Sequence, residues 1–286
     1  MKRVFYIKEI IISLKDSRKR SRFLPMVEKL KKEGIPVRVY TADEDLPWES
    51  QALYITDCGN KAAALRKLKL PVLGFRQDGE SLAGIDYVME CPEELDVCYL
   101  DRVYRRYADI PWDILETQRC IIRESVVEDV ESFFEIYQHP DVVRYMEKLY
   151  PEKSQEREYI REYIDKVYRY FEFGVWTVIW KETGEIIGRA GLSVREGYEL
   201  PELGFVIGVP WQGKGVAYEI CSAILQYGEE EYDFRRVQAL VMPENAASLA
   251  LCRKLRFAEK GKVQEGNKEY CLFVREAQAI RKKDGC

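Results

Sequence analysis

The sequence predicts an α/β protein in two parts: a small domain built on a mostly parallel sheet over residues 1–112, and a mixed α+β domain over residues 113–286. Three observations carry that expectation. A chain of 286 residues with 47% hydrophobic content is long enough for two ordinary domains, each with its own core. Up to residue 110, short β-prone runs alternate with helical ones, the pattern of strand–helix–strand units. Asp109-Ile110-Pro111-Trp112-Asp113 then interrupts the pattern, because proline lacks an amide hydrogen and disfavours helix in the residue before it.

Taken in order, Phe5–Ile12 reads as a strand and Phe23–Glu33 as an amphipathic helix closed by Gly34, a favoured residue just past a helix end. Val37–Tyr40 and Ala52–Thr56 read as buried strands, with the helix Lys61–Leu68 after them. Pro71–Phe75 and Tyr87–Met89 are further strands, and Glu93–Tyr107 is a closing helix. Such an order gives a small, doubly wound, Rossmann-like sheet. The segments Tyr54–Ala64, Leu70–Phe75 and Asp86–Met89 resemble the last third of haloacid dehalogenase-like phosphohydrolases, with Asp57 at the position of a late acidic residue. The first strand of that family carries an Asp-x-Asp pair, and Phe5–Ile12 has no aspartate. A magnesium site needs clustered carboxylates, so this domain is expected to be non-catalytic. The basic stretch Lys15–Arg22 reads as a solvated face.

Composition narrows the classes of function. The net charge of −4 gives no global electrostatic case for nucleic acid or membrane binding. No run of eighteen apolar residues exists, and charges break Met1–Glu9 too early for a secretory segment. None of the eight cysteines forms a Cys-x-x-Cys pair and the single histidine is His139, beside Pro140. That pattern argues against a zinc site, a disulfide framework and a Ser-His-Asp or Cys-His hydrolase, and it fits the reducing cytoplasm. No metal is expected.

The second part opens with a strand in Glu116–Glu124, a helix Val127–Tyr137 and a loop His139-Pro140-Asp141. Ser154–Phe171 reads as one long helix with Tyr159, Tyr163, Val167 and Tyr170 on a packing stripe. Val175–Trp180 and Ile186–Ser193 form a hairpin, and Leu203–Val209 joins them as a third strand. Gln212-Gly213-Lys214-Gly215 is a glycine turn, followed by apolar residues at helical spacing over Val216–Tyr227. Val237–Val241, Ala246–Leu255 and Cys271–Arg275 complete the order as strand, helix and strand. A strand, a glycine turn and a helix aim free backbone N–H groups at whatever lies over the helix N-terminus, most naturally a phosphate. It is not a P-loop, because Val216 follows Gly215, nor a dinucleotide fingerprint, because Tyr218 replaces the third glycine.

Several motifs now agree. Gln212-Gly213-Lys214-Gly215-Val216-Ala217 resembles the Gln/Arg-x-x-Gly-x-Gly/Ala acetyl-CoA loop of the GNAT acetyltransferases. Glu244–Ser248 with Leu255-Arg256-Phe257 looks like that superfamily's Asn-x-x-Ser … Leu-Gly-Phe helix. Arg119–Arg123, Gly184–Leu192 and Glu202–Phe205 are similar to its RimJ/RimL-like branch, which contains ribosomal-protein N-terminal acetyltransferases. The resemblance covers residues 116–276 and implies a GNAT fold with a mixed central sheet and acetyl-CoA as donor.

It also implies residue roles. The N–H groups of Gly213, Lys214, Gly215, Val216 and Ala217, with Gln212, would hold the pyrophosphate. Phe205, Val206 and Ile207 would bind the pantetheine arm, and Asn245 and Ser248 would contact the donor from the next helix; the alternative for Asn245 is a simple helix cap. Glu202 is the candidate base, with Glu199 and Glu196 as rivals and plain strand pairing as the alternative. Where many relatives carry a tyrosine acid this chain has Cys252, which could serve as acid or simply fill the core. Arg256 stands where the family's glycine is usual. The expected activity is N-acetyl transfer from acetyl-CoA to a primary amine by direct attack in a ternary complex. The acceptor, a small molecule or a protein N-terminus or lysine, stays open, as does a homodimer. The rival reading is a non-catalytic acyl-CoA-binding sensor whose first domain is an interaction module.

Overall fold

The computed structural model describes residues 5–49, 51–76, 82–146 and 148–277. The chain divides into two compact units, Met1–Trp112 and Asp113–Cys286.

Unit 1 is a five-stranded parallel sheet in the order β2-β1-β3-β4-β5, with β1 at Glu9–Leu14, β2 at Val37–Thr41, β3 at Ala52–Thr56, β4 at Val72–Phe75 and β5 at Val88–Met89. The alternation of side chains sorts its core into two layers. Ile10, Ile12, Leu53, Ile55, Leu73 and Phe75 face α1 (Leu24–Lys32) and α3 (Val97–Tyr107). Ile11, Tyr54 and Val72 face α2 (Gly59–Lys67) through Leu65. The doubly wound expectation therefore holds, with two differences. The first strand lies at Glu9–Leu14 rather than Phe5–Ile12, because its register is set by both neighbours: Ile10 opposite Val37 and Leu53. β2 is only half-buried, since it is an edge strand.

Asp57 follows β3 at the carboxyl end of the sheet, where strand order reverses between β1 and β3, a usual crevice of such folds. Its buried carboxylate accepts the Lys15 N–H at 2.8 Å and pairs with Lys19 Nζ at 3.1 Å. Among the described residues no group of three or more His, Cys, Asp or Glu could hold a metal ion.

Unit 2 is an eight-stranded mixed sheet in the order β12-β13-β11-β10-β9-β8-β7-β6. Its strands are β6 (Asp113–Glu116), β7 (Cys120–Arg123), β8 (Val175–Trp180), β9 (Ile186–Ser193), β10 (Glu202–Ile207), β11 (Arg236–Val241), β12 (Ala258–Glu265) and β13 (Lys268–Glu276). Its helices are α4 (Val130–Tyr137), α5 (Pro140–Val143), α6 (Lys153–Tyr163), α7 (Arg169–Phe171), α8 (Val216–Glu231) and α9 (Ala246–Lys254). Val130 and Phe133 of α4 pack with Ile160 of α6 in one core layer. Val216, Ile220 and Ile224 give α8 its buried stripe at a spacing of four.

Three expectations are corrected. The segment after His139 is one helical turn, capped by the imidazole Nδ1, which accepts the Asp141 N–H at 3.3 Å. Ser154–Phe171 is not one uniform α-helix: Ile164–Tyr168 is a π segment. That segment holds one extra residue in its turn and so rotates the residues after it. Tyr168, not Tyr170, therefore continues the inward stripe after Tyr159 and Tyr163; Tyr170 is 80% exposed. Finally, β6 and β12 are strands that the apolar pattern does not predict. Both are sheet edges, and β12 is too charged and exposed to show an apolar alternation.

Candidate active site

β10 and α8 meet at the glycine turn. β10 runs antiparallel to β9 along its whole length, from Glu202 opposite Ser193 to Ile207 opposite Gly188. Its other side pairs with the parallel strand β11 at one position only, Glu202 opposite Gln238. Beyond that point the strands part, and a cavity of about 560 Å³ opens. The chain leaves β10 through a single 3-10 turn, Val209–Trp211, where Pro210 fits an early helical position. Gln212 Nε2 donates to the Ile207 carbonyl at 2.8 Å and ties the turn back to the strand.

Gly213 (φ +71°) and Gly215 (φ +76°) are both left-handed. Nothing lies within 4 Å of a Cβ added at Gly213, so backbone conformation rather than crowding requires glycine there. Gly215 is the N-cap of the sixteen-residue α8, which has no side-chain cap. The first N–H groups of a helix have no partner within it, so the end of α8 presents free donors and the positive end of its dipole. The cavity there is lined by Gln212, Gly213, Gly215, Val216 and Ala217 from this corner, by Phe205–Ile207 from β10, and by Asn245 and Ser248 from α9. Every candidate donor-binding residue except Lys214 therefore lines one cavity. Asn245 also caps α9, its side chain accepting the Ser248 N–H at 3.1 Å.

The contacts that hold the turn in shape are not readable from local sequence. Arg119, just before β7, donates from its guanidinium to the Lys214 carbonyl at 3.0 Å. Its Nε and backbone N–H both bond Glu219 of α8, at 2.7 and 2.8 Å. Burial pushes the Glu219 carboxyl up, but hydrogen bonds from Thr117 and Arg119 outweigh it and leave the group below its ordinary range. The one signal in the sequence was an acid in the first turn of a helix.

Glu202 does not line this cavity. It faces a second one, of about 440 Å³, which shares Tyr145, Met146, Phe205 and Val206 with the first. Arg195 donates to the Glu202 carboxylate at 3.1 and 3.3 Å and also pairs with Glu265. Glu196 and Glu199 are exposed. Cys252 is 3% exposed within α9, lines neither cavity, and has its thiol pushed up to about 11 by burial. Arg256, in the family's glycine position, keeps the left-handed conformation at φ +65°.

Tyr137, Tyr145, Tyr150, Tyr159 and Tyr270 line the second cavity, and from Tyr159 an aromatic stripe runs into the core behind it. Tyr159, Tyr163 and Tyr168 form successive ring contacts, at 5.8 and 5.1 Å between centroids. Arg189 of β9 lies among them and over the Phe133 ring at 4.6 Å. Burial works against its charge, yet the neighbouring oxygens of Tyr137, Tyr168, Tyr163 and Tyr159 work for it, and the net displacement is upward.

No helix among the described residues is long and apolar enough to cross a membrane. Residues 119–258 match the profile of the acetyltransferase (GNAT) domain. The N-acetyltransferase p20 of Bacillus licheniformis, itself named as uncharacterized, is 28% identical over 158 residues, 54% of this chain and 88% of that protein. A ribosomal protein uS5-alanine N-acetyltransferase of Escherichia coli is 36% identical over 93 residues, 32% of this chain and 46% of that one. A ribosomal-protein-S5-alanine acetyltransferase structure from Vibrio fischeri shares the fold, with a TM-score of 0.50, 15% identity, and coverage of 59% of this chain and 97% of that one. The second unit of this chain is thus a GNAT acetyltransferase domain, a member of that family of acyltransferases.

Proposed function

We propose that the protein transfers an acetyl group from acetyl-CoA to a primary amine, by direct attack within a ternary complex. The observation that carries this reading is the pair of adjacent cavities. One lies under the uncapped end of α8 and along the splayed side of β10; the other adjoins it, sharing Tyr145, Met146, Phe205 and Val206. The N–H groups of Gly213–Ala217 suit a pyrophosphate, and the unpaired side of β10 at Phe205–Ile207 suits the amide-rich pantetheine arm. A backbone N–H of β10 would polarise the thioester carbonyl and stabilise the developing oxyanion.

The acceptor enters as an ammonium and loses one proton, with Glu202 as the proposed base acting through water. The neutral amine then attacks, the C–N bond forms, the C–S bond breaks and the thiolate leaves. The nitrogen releases its second proton and the thiolate takes one up, so one proton in all goes to solvent. Water supplies the thiolate's proton in this scheme, because the Cys252 thiol lines neither cavity. We also propose that the first unit takes no part in this chemistry.

Calorimetry with acetyl-CoA, together with free-thiol release over an amine panel, tests the proposal. Binding near 1:1 is expected, with thiol release only when an amine is present. The Gly215→Val variant should bind acetyl-CoA about tenfold more weakly or worse, since a β-branched residue resists left-handed φ. The proposal falls if acetyl-CoA does not bind, if no amine is turned over, or if Gly215→Val binds as well as wild type.

A further inference from the structure

We infer that the acceptor is a small amine bearing an oxyanion, a carboxylate or phosphate a few bonds from the reacting nitrogen, and that Arg189 is the residue that selects it. This rests on the acetyltransferase reading above and adds the chemical class of the acceptor.

Arg189 is 8% exposed, yet it lines the second cavity. Its Nε is buried without a hydrogen-bond partner, and among the described residues no carboxylate pairs with its guanidinium. Its surroundings are aromatic: Phe133 beneath it, Tyr137 within hydrogen-bonding reach, and Tyr159, Tyr163 and Tyr168 nearby. Ring faces and phenol oxygens moderate the cost of a buried cation, but they do not replace the water it has lost. The other arginine of this cavity makes the contrast clear, because Arg195 lies between Glu202 and Glu265. An arginine with a purely structural role in this sheet should resemble Arg195. A planar guanidinium left without an anion matches the two oxygens of a carboxylate or phosphate.

Position supports the assignment. Arg189 sits directly opposite Val206 in the β9–β10 register, and Val206 belongs to the wall shared by the two cavities. Glu202 is opposite Ser193, further down the same strand pair. Anion, amine and base can thus be held in one cavity of about 440 Å³. Lys148 and Lys268 also line it, so its four cations outnumber the carboxylates Glu156 and Glu202 among the lining residues. Because Arg189 is so deeply buried, the oxyanion must come in with the acceptor and cannot remain at the surface. That favours a compact molecule such as an amino acid or an aminoalkyl phosphate over an internal lysine of a folded protein.

The test uses matched pairs on the full-length protein. Thiol release from acetyl-CoA is measured with free amino acids against their carboxamides, and with phosphoethanolamine against ethanolamine. At least about tenfold higher kcat/KM for the anionic member of one pair is expected, and which pair responds separates carboxylate from phosphate. In Arg189→Gln the preference should collapse through KM; Arg189→Lys, which keeps the charge, should retain part of it. Equal use of charged and neutral members by wild type overturns the inference and leaves the acetyltransferase reading intact, and that measurement needs no variant. A parallel arm measures calorimetric binding of N-acetyl amino acids against their amides, which requires no turnover. If no amine is acetylated but the acids bind in an Arg189-dependent way, the enzyme reading falls while the anion site stands. Equal binding of acids and amides overturns the anion site.

Discussion

Arg119 and Lys214 are 95 positions apart in sequence, yet the guanidinium of the first holds the backbone carbonyl of the second at 3.0 Å. The same arginine bonds Glu219 in the first turn of α8, so one side chain fixes both the glycine turn and the helix behind it. Removing it should loosen the donor site without touching the free N–H groups themselves. In Arg119→Met, acetyl-CoA affinity should fall about tenfold, the loss of roughly one charge-assisted hydrogen bond. Calorimetry reads the affinity, and an unchanged dissociation constant would show that the turn keeps its shape alone.

The same contact has a pH signature. The folded-state carboxyl of Glu219 lies below its ordinary value of 4.5. A depressed acid contributes stability that is present above the unfolded value and is lost as pH falls through the folded one. The melting temperatures of wild type and Glu219→Gln should therefore differ most near neutral pH and converge below about pH 4.5. A difference that stays constant from pH 7 to pH 3 would contradict the assignment.

Gly174 lies against the tyrosine stripe. A Cβ added there would meet Tyr163 Oη and Tyr168 at 2.8 Å, and both rings are held by hydrogen bonds to Val175. Gly174→Ala should cost about 1–3 kcal/mol of stability through overpacking. Tyr163 touches Tyr159 and Val175, which do line the second cavity, so under the proposed function acceptor KM should rise while acetyl-CoA binding is kept. Chemical denaturation and steady-state kinetics measure the two effects.

Arg256 adopts a left-handed backbone without being glycine. Arg256→Gly should raise stability by about 1 kcal/mol, the usual penalty of a side chain in that region. An unchanged or lowered unfolding midpoint would mean that the arginine side chain offsets its own strain.

The Cys252 thiol, pushed up to about 11 by burial, should resist alkylation at neutral pH in the folded protein. Cys252→Ala should keep kcat within about threefold of wild type, because the leaving thiolate takes its proton from water in the proposed scheme. A large, pH-dependent fall in kcat with intact folding would restore the thiol as the acid.

Local chemistry was legible in the sequence. Alternating apolar runs placed most strands, and β3, β8 and β9 lie where they were expected. Two glycines between a strand and an apolar helix announced a turn with free N–H groups, because left-handed φ and a missing cap are properties of a few consecutive residues. Edge strands escaped, since β12 pairs on one side only and need not be apolar. The inward-facing tyrosine was misplaced because a π segment changes the helical period, and nothing in a fixed spacing of about 3.6 foresees it.

What only the tertiary structure decided were relations across long separations. The parting of β10 from β11 after one residue pair makes the first cavity, the proposed donor site. Arg119 holds Lys214 and Glu219. Glu202 faces Arg195 in a second cavity, and among the described residues no carboxylate pairs with the Arg189 guanidinium buried there. A sequence records which residues can carry charge or turn the chain. Which charge meets a partner, and which is left facing a cavity, is fixed only when the strands take their register.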